Sequence, residues 1–150
     1  IGDTSRMNPL LVGQKVQTEI NMYGEYKYSH TIEFKEYARK KGTLTVKIHV
    51  DISKCSDGLD REIHIWDTDF DLFDGDYSQI KVMADGIGTE KTGIQISGLV
   101  LMFPETSTDL IVTFNKVPEG KLYFRFEPMN SYKVDDKNKA KSAVWFEIDP

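Results

Sequence analysis

"GTLTVKIHVDI", residues 42–52, decides the fold class. Leu44, Val46, Ile48 and Val50 alternate one for one with Thr45, Lys47, His49 and Asp51. Successive side chains of a strand point to opposite faces, so the aliphatics share one side and the polar residues the other. That is a half-buried antiparallel strand, bounded at its start by Gly42.

The same period of two runs outward in both directions. "HTIEFKEYA" (30–38) sets Ile32 and Phe34 against Glu33 and Lys35, and "REIHIWD" (61–67) places Ile63 with Ile65. "TDFDLFDGD" (68–76) does the same with Phe70 and Leu72. "DLIVTFN" (109–115) and "KLYFRFE" (121–127) are β-branched and aromatic, and "NKVPEG" (115–120) between them reads as a hairpin turn. "SAVWFEI" (142–148) closes the chain. Strands are expected over 11–19, 26–37, 43–51, 61–66, 69–73, 78–84, 94–103, 108–115, 121–127 and 143–148. "FKEYARKKG" (34–42) fits one helical turn or a strand end. "DGIGTEKTG" (85–93) reads as a glycine-rich loop, and "NSYKVDDKNKAKS" (130–142) as an exposed polar one. Many short strands separated by turn signals predict an all-β fold, an antiparallel β-sandwich. Residues 9–150 are expected to form one domain, and 1–8 a flexible leader or a cloning remnant.

Composition narrows the function. The 150 residues carry 19 Lys+Arg against 24 Asp+Glu, a formal charge of -5, which argues against a phosphate-neutralising surface and hence against nucleic acid. The basic run Arg39-Lys40-Lys41 and the lysines of 130–142 read as solvated turns. One cysteine, Cys55, excludes an intramolecular disulfide and a Cys-rich zinc site. No apolar run approaches the ~18 to 20 residues that span a bilayer.

The richest cluster of candidate ligands is acidic. Asp67, Asp69, Asp71, Asp74 and Asp76 crowd into 67–76. A helix–loop–helix calcium loop starting at Asp67 matches at its first, third and fifth positions. It then fails, with Leu72 where Gly is needed and Ser78 where Glu is needed. On a strand Asp67, Asp69 and Asp71 form a row on one outer face, successive members about 7 Å apart. Such a row takes lysines from a neighbour (Lys47 and Lys81 are the candidates), water, or a calcium ion held by Asp67, Asp69 and Asp71. Asp74-Gly75 is a turn, with Gly and Asp both tolerant of positive φ.

Other chemistry is thinner. His30, His49 and His64 lack metal-ligand spacing, although alternation puts His49 and His64 on polar faces that could meet across two strands. Cys55, in the polar loop "KCSDGLD" (54–60), has no local signature of a nucleophile. Trp66, Tyr77, Tyr23, Tyr26 and Tyr28 are candidates either for a sugar-binding aromatic platform or for core and edge packing. No cofactor is expected, and the chain reads as a non-enzyme.

The order of features resembles a known family. "VGQKV" (12–16), "YSHTIEF" (28–34), the strand 42–52, "TDFDLFDGDYSQI" (68–80) and "SGLVLMFPETSTDLIVTFNKVPEGKLYFRF" (97–126) follow one another. This sequence is similar to the telokin-like, immunoglobulin-like domains of secreted proteins and surface lipoproteins of Gram-positive bacteria, the immunoprotective extracellular type. The likeness spans Val12 to Phe126. It departs from the family at "DISKCSDG" (51–58), where an Asn-rich strand end is usual, and at "DGDYS", where Tyr77 follows Gly75 by two. The resemblance implies an immunoglobulin-like sandwich exported to the medium or the cell envelope, with a lipid anchor possible upstream of Ile1. It implies contact with another protein at the cell surface as a monomer or weak dimer. A carbohydrate- or calcium-binding module is the alternative.

Overall fold

The computed structural model describes residues 8–22, 26–51, 53, 62–64, 69–82, 84–89, 93–95, 100–102, 107–127 and 143–150. For 19–22, 26–28, 62–64, 69, 85, 89, 93–95 and 100–102 the backbone alone is described. The described residues form twelve strands: β1 (Lys15–Met22), β2 (Tyr26–Lys40), β3 (Thr43–Asp51), β4 (Glu62–His64), β5 (Asp69–Asp74), β6 (Gln79–Ile80), β7 (Ala84–Thr89), β8 (Gly93–Gln95), β9 (Val100–Met102), β10 (Ser107–Asn115), β11 (Leu122–Glu127) and β12 (Val144–Ile148). They make a six-stranded sheet β1-β2-β3-β10-β7-β8, a four-stranded sheet β12-β11-β5-β6 and a small pair β4-β9. All named strands pair antiparallel. The fold is a β-sandwich, as the alternation predicts.

Each sheet turns one face to the other. Leu44, Val46, Ile48 and Val50 of β3 are buried beside Leu110, Val112 and Phe114 of β10 and Ile32 and Phe34 of β2. Facing them are Phe70 and Leu72 of β5, Leu122, Phe124 and Phe126 of β11, and Val144, Phe146 and Ile148 of β12, in one continuous core. Phe146 meets Phe34 edge-on at 5.1 Å and Phe114 meets Phe124 edge-on at 5.9 Å, so aromatic contacts tie the two sheets together. Truncating such a ring to Ala costs about 3–5 kcal/mol.

Four connections differ from the expectation. "NKVPEG" is no hairpin: β10 lies in the large sheet and β11 in the small one, so this corner carries the chain across the core. Lys116 at φ 56° and Gly120 at φ 94° shape it, and Val117 N–H donates to Gly42 O at 3.1 Å. The span 78–84 is two strands in different sheets, parted by a tight turn in which Val82 N–H donates to Ile80 O. Likewise 94–103 divides into β8 and β9. The glycine-rich stretch is no loop in its first half: Ala84–Thr89 is β7, paired along β10 with Thr113 Oγ1 donating to Gly86 O.

β2 continues past the expected end to Lys40 because it carries a bulge. Phe34 opposes Ile48 and Glu36 opposes Lys47, leaving Lys35 as the extra residue. That one residue flips the parity. Tyr37 and Arg39 fall opposite Val46 and Leu44, on the core-facing side, and lie at the end of the sandwich.

Candidate functional site

Asp71 takes the outer face of β5, as alternation requires, and meets an arginine there. β5 pairs with β11, setting Asp71 directly opposite Arg125 and Asp69 opposite Glu127. Arg125 Nη1 lies 3.5 Å from Asp71 Oδ2, and its Nη2 contacts the buried Glu127 carboxylate. The guanidinium also sits 5.8 Å from the Trp145 ring. Lys47, expected as a neighbour, lies instead on β3 in the other sheet, and Lys81 follows β6 at an exposed position. The cation opposite Asp71 on β11 is an arginine, Lys47 is out of reach because β3 is no neighbour of β5, and Lys81 follows the β6 residue that pairs with Leu72. Asp67 lies outside the described residues, and Asp69 is described by its backbone.

The turn after β5 is built by Asp74. Its Oδ1 accepts from Asp76 N–H at 2.8 Å and Ser78 N–H at 3.0 Å, and its backbone O accepts from Tyr77 N–H. The left-handed residue is Tyr77, at φ 62°, not Gly75. That conformation lays Tyr77 flat on Tyr123, 4.4 Å between centroids and 15° between planes, with its edge on Trp145 at 5.6 Å. Phe73, Tyr123 and Trp145 are buried, so Tyr77 closes a small aromatic cluster on the outer face of the four-stranded sheet. The hydrogen bond with Tyr77 and partial burial together raise the Tyr123 phenol above its usual pKa. Of the aromatic candidates, Tyr77 is the one the structure places, and it packs in this cluster. Tyr77 joins Phe73, Tyr123 and Trp145, while Tyr26 and Tyr28 are described by their backbone and Tyr23 and Trp66 lie outside the described residues.

On the outer face of the six-stranded sheet, β3 and β10 set His49 opposite Asp109. His49 Nδ1 is 2.5 Å from Asp109 Oδ1, and Lys47 Nζ is 3.6 Å from Oδ2. Partial burial pushes the Asp109 carboxyl up, but the His49 hydrogen bond and the charges of His49, Lys47 and Lys35 outweigh it and hold it below the usual range. His49 does not share a sheet with His64, which lies on β4; the neighbours of β3 are β2 and β10. His30 is fully buried, and desolvation lowers its pKa to about 3, so it is neutral. Cys55 lies outside the described residues. Among the described residues no group of three His, Cys, Asp or Glu side chains converges as a metal site.

The flanks of the sandwich hold what sequence reasoning missed. Leu10 bridges in parallel to Phe146. Its N–H donates to Trp145 O at 2.8 Å, and Glu147 N–H donates to its O at 2.9 Å. Just past β12, Asp149 N–H donates to Tyr37 Oη at 3.2 Å, and Arg39 Nη1 donates to Asp149 O at 3.0 Å. Arg39 also donates to Gly120 O and Pro118 O, so the bulge-flipped pair clasps the far sheet. The chain then leaves Leu10 through a turn, Gln14 N–H to Leu11 O, and enters β1. Leu11, Val12 and Val16, the large hydrophobics exposed among the described residues, all lie at this entry. Leu11 and Val16 line a groove of about 730 Å³ together with Pro9, Gln14 and Glu147 among others. The signal was present in the sequence: Leu10-Leu11-Val12 is three consecutive aliphatics, and at a period of two they cannot all face one core.

No protein-family model, curated protein or solved structure matches this chain.

Proposed function

We propose that this chain is a non-catalytic, immunoglobulin-like sandwich that acts by contact with another protein at the cell surface. The observation that carries it is the aliphatic rim. Leu11, Val12 and Val16 are exposed together at the entry to β1, an eight-residue strand at the margin of the six-stranded sheet. Large exposed side chains scattered singly need no explanation, but a group gathered on a sheet margin is a recognition surface. The strongly polar groups point the same way. Asp71, Arg125 and Glu127 engage one another, as do His49, Asp109 and Lys47, and these contacts neutralise charge across strand pairs. Export to the medium or the envelope rests on the resemblance to Gram-positive extracellular domains. Among the described residues no helix is long and apolar enough to cross a membrane.

The test replaces Leu11 and Val12 with Ser and Val16 with Thr, then compares this variant with the parent chain. The parent retains an envelope or extracellular protein on an affinity surface, and the variant, with unchanged Tm, retains at least tenfold less. Equal retention by both chains refutes the rim. Turnover of ester, glycoside or phosphate substrates that disappears in His49→Ala refutes the non-catalytic part. Recovery of the native chain in the cytosolic fraction of its source cells refutes the location.

A further inference from the structure

We infer that the end of the sandwich where β2 turns into β3 binds a small multivalent oxyanion, a ligand whose charge sits on carboxylate or phosphate oxygens. The site is a pocket of about 490 Å³ between the turn at 41–42 and the crossover corner at 117–120. That volume lies in the range of small-ligand pockets. It goes beyond the protein contact proposed for the rim, and none of the described residues that line it lines the groove there.

The pocket holds a cation that is fixed in place without being neutralised. The bulge in β2 brings Arg39 to this end of the sandwich. There Nη1 donates to Gly120 O at 2.6 Å and to Asp149 O at 3.0 Å, and Nη2 donates to Pro118 O at 2.8 Å. All three acceptors are peptide carbonyls. They orient the guanidinium but carry no formal charge to cancel its own. They also occupy at most three of its five N–H groups, so at least two remain for a ligand among the described residues. A guanidinium held in this way is a prepared donor for carboxylate or phosphate oxygens.

Around it gather cations that no carboxylate balances. Elsewhere Lys35 pairs with Glu33, Lys47 with Asp109, Lys121 with Glu147 and Arg125 with Asp71. Among the described residues Arg39, Lys40, Lys41 and Lys116 have no acidic partner, and the first three line the pocket. Lys116 adjoins it, next to Val117, whose N–H donates to Gly42 O. Lys15 on β1 and Lys81 past β6 lack an acidic partner too, but singly. Cations gathered around one concavity repel one another and concentrate anions there, and a bound anion relieves the repulsion. Glu119 is the one carboxylate among the described lining residues, so three cations face one anion and a ligand of two or more negative charges fits. Val117, Pro118 and Pro150 add apolar wall for its carbon skeleton. The formal charge of -5 speaks against an extended phosphate surface, whereas one pocket needs only a local excess.

The experiment is titration calorimetry of the whole chain with citrate and with pyrophosphate, each against sodium chloride at the same ionic strength. At least one of the two should bind saturably with a Kd below about 1 mM. Citrate alone assigns carboxylate, pyrophosphate alone assigns phosphate, and both assign multivalent charge as the feature recognised. Lys40→Ala and Lys41→Ala should each weaken binding at least threefold and the double variant at least tenfold, while Glu119→Gln should tighten it at least twofold. These side chains are exposed, so the Tm of each variant without ligand should match the parent and show that the fold is kept. The variant that replaces Leu11, Val12 and Val16 should bind the anion as the parent does, so the pocket and the rim stand or fall separately. Four results overturn the inference: no saturable heat from either anion up to about 10 mM, the same heat from chloride, an affinity indifferent to the double variant, or binding weakened by Glu119→Gln.

Discussion

Two strands border the sandwich where the chain enters it, and they are treated differently. Along β12 and just past its end, Trp145 O, Glu147 N–H and both backbone groups of Asp149 have partners supplied by Leu10, Tyr37 and Arg39. At the entry to β1 the neighbouring side chains are Leu11, Val12 and Val16, at 46%, 51% and 36% exposure. The same short segment serves both. Leu10 turns its side chain into the core and its backbone onto β12, while its two successors turn outward. An uncovered strand margin is a template for pairing, and natural sandwiches usually blunt it with charge, proline or a covering segment. Among the described residues the β12 side is covered and the entry to β1 carries apolar surface, and the proposed recognition surface rests on that difference.

Removing the cover should produce the largest effect. Leu10→Ala deletes a side chain that is 8% exposed within the common core and loosens the bridge to β12. The expected loss is about 2–4 kcal/mol, read from urea denaturation. A loss under roughly 1 kcal/mol would mean that the bridge, rather than the buried leucine, holds the segment in place.

Arg39→Ala comes next. One guanidinium donates to Pro118, Gly120 and Asp149 carbonyls, linking the crossover corner to the end of β12. Its removal should cost about 1.5–3 kcal/mol, the range for hydrogen bonds to a charged group. Arg39→Lys should recover little, because a point charge cannot reproduce the fork. Tyr37→Phe, which deletes the acceptor for Asp149 N–H, should cost about 1 kcal/mol by the same denaturation assay.

The middle of the large sheet gives a contrast independent of both margins. Asp109 has a folded pKa below its unfolded value, so its contribution to stability is present above the unfolded pKa. It disappears as pH falls through the folded one. Stability measured from neutral pH into the acid range should therefore fall less steeply in Asp109→Asn than in the parent. Identical slopes would show that the His49–Asp109 contact contributes nothing net.

Much of this was legible in the sequence, and the exceptions share a cause. The strand 43–51 was predicted to the residue, and 108–115 and 121–127 to within one, because a sheet with one buried face writes its period directly into the residues. Sheet membership was not legible. β10 and β11 face the same core from opposite sides, so their alternation is the same whether "NKVPEG" folds back or crosses over. Gly86 and Gly88 hid β7, since glycine has no side chain with which to mark a face. The bulge at Lys35 left a trace in the odd spacing from Phe34 to Tyr37, but only the register shows that it carries Tyr37 and Arg39 to the far sheet. For the aspartates, alternation placed Asp71 on the outer face correctly. The identity of its counter-ion depended on which strand pairs with β5, and that is a long-range fact.

The smallest expected effect is the one that separates the two margins most cleanly. Leu11→Ser and Val12→Ser alter side chains about half exposed, in a turn whose hydrogen bonds are made by Gln14 and the backbone. Surface changes of this kind move stability by no more than about 0.5 kcal/mol. Set beside Leu10→Ala, these three adjacent aliphatics should divide sharply, the first sensitive and the next two silent in denaturation. A cost above roughly 1.5 kcal/mol at Leu11 or Val12 would show that the rim is packed against the chain itself in solution. In that case the apolar margin of β1 would be part of the fold, and no partner would be needed to account for it.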